Sequence, residues 1–112
     1  MNPYDIAHNL ARALRESNEY KEYAKAKEAV DRDEAKKTIV DEFRKKQLEM
    51  QSLKTFGQDV SEEQMEKLHS LYNLVSMDQE AKTLMQSEQR LGQLLSDIYK
   101  IIGDALKTEE PE

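Results

Sequence analysis

Apolar positions along this chain return at the three- and four-residue steps of amphipathic helices. The pattern is clearest from about Asp78 to Lys107, a stretch without proline. Leu84, Leu91, Ile98 and Ala105 fall seven apart. Ala81, Leu95 and Ile102 form a second set three residues earlier in the heptad, and Leu94 and Ile101 widen the stripe. These spacings predict a helix about 45 Å long. Its stripe would cover more partner surface than a two-stranded coiled-coil seam, so the predicted fold is all-α. It is an antiparallel helical bundle of four or five segments that ends in the long helix. Glu88 interrupts the second set and has to reach a polar partner, a bundle end or solvent, because an unpaired buried carboxylate is costly.

Earlier segments follow the same periodicity. The first helix is expected from Pro3 or Tyr4 to Arg15 or Glu16, with proline accepted in the first turn and Ile6, Leu10, Ala13 and Leu14 as its stripe. Ser17 or Asn18 can cap a second segment through about Val30, on which Tyr20, Tyr23, Ala24 and Val30 form a modest packing face. At Ser17 the chain either bends sharply or kinks. Asp33 is placed to cap a third helix from Glu34 to about Thr55, with Ile39, Val40, Phe43, Met50 and Leu53 inward, Gln47 as a polar step among them and Leu48 at an edge.

The clearest loop is Phe56-Gly57-Gln58-Asp59. After it, Ser61 and Gln64 have capping-box spacing, flanked by Val60 and Met65 at the positions of a hydrophobic staple. A fourth helix is expected to reach about Leu74, burying Met65, Leu68, Leu71 and Tyr72. Ser76 and Gln79 repeat the box spacing, so the long helix starts there after a short break or continues, kinked, through Val75. Residues 1–107 are expected to form one domain, and the polar 108–112 stretch a disordered tail.

Composition sharpens the picture. Only 38% of the 112 residues are hydrophobic, which is thin for a set of long helices and favours association with a second copy. The expected state is a homodimer, or a tetramer that repeats its contact. The candidate interface is Leu91, Leu94, Leu95, Ile98, Ile101 and Ile102. Gly92 and Gly103 weaken the long helix, and close backbone approach between helices is one compensation. Net charge is -6, and because residues 1–60 carry twelve charges of each sign the excess lies wholly in residues 61–112. That balance does not attract a nucleic-acid backbone. The one local exception, Lys36, Lys37, Arg44, Lys45 and Lys46, is interrupted by Asp41 and Glu42. It reads as a solvated face or a surface for a protein partner, with no strong nucleic-acid binding expected. With no long apolar run and no secretory start, a cytoplasmic location without membrane insertion is expected.

The same residues point away from catalysis. The chain has no cysteine, hence no disulfide framework or thiolate nucleophile. His8 and His69 lack the spacing of a helical metal site. Ser17, Ser61 and Ser76 are explained as caps, and the three glycines are too widely separated for a phosphate-binding loop. No catalytic, cofactor-binding or metal-binding residue is assigned, and no cofactor is expected. The leading reading is a self-associating regulator or adaptor of a protein complex, with a purely structural oligomer or a weakly RNA-associated factor as the alternatives; an interhelical pocket for a small molecule ranks below them.

Three phrases carry a family resemblance: Asn9-Leu10-Ala11-Arg12-Ala13-Leu14-Arg15-Glu16-Ser17, Glu34-Ala35-Lys36-Lys37 with Phe43-Arg44-Lys45-Lys46-Gln47, and Leu84-Met85-Gln86-Ser87-Glu88-Gln89-Arg90-Leu91. In order and spacing, over about residues 4–107, the chain resembles the YheA branch of the YheA/YlbF/YmcA family. The resemblance implies an all-helical bacterial cytosolic protein that self-associates and is not an enzyme. YlbF and YmcA relatives work with YaaT in a complex linked to RNA processing, competence, sporulation and biofilm development. The lack of cysteine here removes any basis for carrying over that complex's cysteine-dependent iron–sulfur association.

Overall fold

A computed structural model describes residues 2–107. Five helices follow one another, α1 (Pro3–Glu16), α2 (Asn18–Asp31), α3 (Glu34–Thr55), α4 (Glu62–Met77) and α5 (Gln79–Leu106), with no strand among the described residues. Side-chain caps explain most of the boundaries. Asn2 accepts the Tyr4 N–H ahead of Pro3. Asp33 accepts from Ala35 and Lys36. The capping box is complete: the Gln64 N–H donates to Ser61 Oγ at 3.2 Å and the Ser61 N–H to Gln64 Oε1 at 3.1 Å.

The two junctions that spacing left open are single-residue breaks. Ser17 leaves the helical region (ψ 152°), donates its hydroxyl to the Leu14 carbonyl, and accepts the Tyr20 N–H, closing α1 and opening α2. Asp78 does the same between α4 and α5: its backbone is extended (ψ 119°) and its Oδ1 accepts the Ala81 N–H at 3.0 Å. The break therefore falls two residues beyond Ser76, and α4 runs three residues past Leu74. At the end of α3, Gly57 takes φ +72°. Its N–H bonds the Lys54 carbonyl while the Gln58 N–H reaches Leu53, the paired bonds of a Schellman ending.

The chain divides into two compact units: Met1–Ala24 with Gln86–Glu112, and Lys25–Met85. In the second, α3 and α4 pack as an antiparallel hairpin. Phe43 meets Tyr72 with ring centroids 6.0 Å apart, and Glu49 shares a groove with Lys67. Its buried apolar residues are Ala26, Val30, Val40, Phe43, Met50, Val75, Ala81 and Leu84. Ile39 and Leu53 are half-buried and Gln47 is exposed. The expected α4 face is corrected: Val75 is its buried residue, Leu68 and Leu71 are half-buried, and Met65 and Tyr72 stay exposed. α4 packs on one helix over a narrow line, so residues one step off that line keep a solvent side.

The first unit is built differently. α1, although strongly amphipathic, has no buried residue; Leu10 and Leu14 are half-covered and Ile6 is exposed. On α5 the fully buried residue of this unit is Ser87, which is partnered, as is the half-buried Glu88. The 108–112 tail lies outside the described residues.

Candidate interaction surfaces

Within the first unit the N-terminal part of α2 lies along α5. Glu22 approaches Arg90 at 3.4 Å, and an open groove of about 440 Å³ runs between Asn18, Glu19 and Glu22 on one side and Arg90, Gln93, Leu94 and Asp97 on the other. Three carboxylates, one guanidinium and two amides line it, and no nucleophile is among them. The candidate interface residues divide by exposure. Leu91, Leu94, Leu95 and Ile98 are half-buried, whereas Ile101 is 68% and Ile102 46% exposed. Sequence reasoning missed the flank beside them: Gly92, Tyr99 and Leu106, seven apart, lie within about 40° of each other around the helix. Tyr99 is 71% and Leu106 76% exposed. The seven-residue spacing was the available signal.

In the second unit the basic residues differ in their partners and exposure. Lys36 is part-buried and bridges Glu80 at 2.7 Å and Asp78 at 3.3 Å. The Glu80 hydrogen bond, and then those to Asp78, raise its pKa. Asp78 is held below the usual carboxylate range, first by the Ala81 N–H and then by Lys36. Lys46 pairs with Glu49 at 2.9 Å and lowers that carboxyl's pKa. Arg44 is half-buried and has a partner, while Lys37 and Lys45 are exposed. Charges separated by more than 40 residues in sequence, such as Lys36 and Glu80, carry no local sign that they will meet. Lys45, Lys46 and Lys67 share an open groove of about 380 Å³ with Glu42 and Glu49, so its field is mixed.

Among the described residues no group of three or more His, Asp or Glu side chains is arranged to hold a metal ion. No described helix is long and apolar enough to cross a membrane.

Known proteins match this architecture over nearly its whole length. A UPF0342 protein of Symbiobacterium thermophilum is 44% identical over 108 residues, covering 96% of each chain. Another, from Clostridium novyi, is 42% identical over 95% of this chain and 93% of its own. Among solved structures, yheA from Bacillus subtilis superposes with a TM-score of 0.68 at 28% identity, covering 95% of this chain and 96% of that one. A Bacillus stearothermophilus protein of unknown function (DUF964) has the same fold, with a TM-score of 0.78 at 22% identity over 92% and 90% of the two chains. The family described as "Control of competence regulator ComK, YlbF/YmcA" matches residues 4–107, and the chain belongs to this YheA/YlbF/YmcA family.

Proposed function

We propose that this protein is a noncatalytic cytosolic regulator or adaptor that acts through protein–protein contacts, the first of them with a second copy of itself. The observation that carries the reading is the uncovered apolar surface of α1 and the C-terminal half of α5. An amphipathic helix with no buried residue contributes little to its own chain's core. A stable dimer contact needs only about 800 Å² from each partner. The proposed contact draws on the stripe of Leu91, Leu94, Leu95, Ile98, Ile101 and Ile102, and a tetramer would repeat it. The family description, with its reference to control of a competence regulator, favours a regulatory setting over a purely structural one.

Mass measurement across protein concentration tests the self-association; a compact monomer at high micromolar concentration would sink it. Pull-down from the source cell tests the adaptor role. A reproducible partner lost when the helical surface is altered supports it, whereas a partner-free oligomer returns the protein to a structural role. Strong intrinsic RNA binding is not expected, since Lys36 and Lys46 are already paired with carboxylates. A salt-resolved titration with submicromolar affinity at physiological ionic strength, lost on neutralising Arg44, Lys45 and Lys46, would overturn that expectation.

A further inference from the structure

Gly92 sits inside a 28-residue helix, where glycine lowers helix stability, and nothing in its own chain approaches within 4 Å of where a Cβ would be. No intrachain packing therefore accounts for the notch. Seven and fourteen residues further along the same flank, Tyr99 and Leu106 project as exposed apolar side chains. The flank reads notch, middle, projection.

Resting on the self-association proposed above, we infer that the occupant of this flank is the α5 helix of a second copy, lying antiparallel, with the two-fold axis passing beside Tyr99. Under that operation residue 92 faces 106, so each Leu106 enters the notch over the partner's Gly92, and the two Tyr99 rings meet at the axis. Leu95, on the neighbouring row, falls within one residue of the partner's Ile102, so the adjacent apolar row is also satisfied by the reversal. A parallel pair would place notch against notch and projection against projection, leaving a void at one end and a clash at the other. The same patch serves both copies, as a closed isologous dimer requires. Glycine at position 92 then allows a close approach of the partner helix that a bulky side chain there would obstruct.

The chain has no cysteine, which makes the arrangement testable with single introduced thiols. Tyr99→Cys, Gly92→Cys and Leu106→Cys each alter an exposed position, and circular dichroism verifies that each variant keeps its helices. Treated with a short bismaleimide, Tyr99→Cys is expected to give a covalent dimer. Gly92→Cys alone and Leu106→Cys alone are expected to remain uncrosslinked, because their like positions stand about 21 Å apart in the antiparallel pair. An equimolar mixture of the last two is expected to crosslink. Self-crosslinking of all three variants would overturn the antiparallel arrangement in favour of a parallel one. A dimer by mass in which Tyr99→Cys stays uncrosslinked would overturn this contact while leaving self-association standing. A wild-type protein that is monomeric at every concentration would overturn both.

Discussion

The Asp78 carboxylate has two tasks that respond differently to substitution. It caps α5 through the Ala81 N–H and holds Lys36 from α3. Both interactions favour its ionised form, so its folded pKa lies below the ordinary 3.8. Its contribution to stability is therefore complete above that ordinary value and is lost as pH falls through the lower folded one. Asp78→Ala should cost about 1 kcal/mol at neutral pH by loss of the cap. Asp78→Asn keeps an acceptor for the Ala81 N–H and should instead flatten this part of the acid dependence. Urea denaturation at neutral and at acid pH reads both; equal acid sensitivity in the wild type and Asp78→Asn would assign the effect to other carboxylates. Gly57 is a second residue whose conformation is diagnostic. Its φ of +72° is strained for any side chain, so Gly57→Ala should destabilise by about 1 kcal/mol even though the site is open.

At the scale of elements, α5 changes character along its length. Ala81 and Leu84 near its start are buried in the α3–α4 unit, while beyond Ser87 its apolar residues are half-covered or exposed. A charge placed in the second stretch should act on association more than on folding. Leu95→Asp, half-buried in the wild type, is expected to weaken dimerisation by at least ten-fold, since burying a leucine is worth roughly 1.5 to 3 kcal/mol. Mass against concentration, with circular dichroism on the same samples, separates interface loss from unfolding. Loss of helicity together with association would instead show that Leu95 belongs to the core of its own chain.

For the whole molecule, the division into two units raises the question of cooperativity. Both α2 and α5 pass from one unit to the other without an interruption in the helix. Melting either unit alone would have to fray both helices in mid-length, which is unfavourable because ladder bonds would be lost on both. We propose that residues 1–107 unfold as one domain. Tyr4, Tyr20, Tyr23 and Tyr99 lie in the first unit and the protein has no tryptophan. Tyrosine fluorescence therefore weights that unit, whereas circular dichroism reports all five helices. Coincident denaturation curves from the two probes are expected; separated midpoints would mean two independently folding units.

Capping is settled within four residues of chain, and that is why Asp33, the Ser61–Gln64 box and the helices they begin were legible from the order of residues alone. The Gly57 ending and the existence of a long amphipathic α5 belong with them. Periodicity also chose the correct side of α3, where Val40, Phe43 and Met50 are buried. It could not choose between neighbouring rows of α4, because a stripe is wider than the line along which a single partner helix touches it. Packing against α3 decided that Val75 goes inside while Met65 keeps a solvent side. Likewise only the fold could bring Lys36 to Asp78 and Glu80, for an ion pair across more than 40 residues has no local cause. The open flank of Gly92, Tyr99 and Leu106 is the remaining case. Its seven-residue spacing is in the sequence, but whether a helix flank is covered depends on which neighbours the chain supplies.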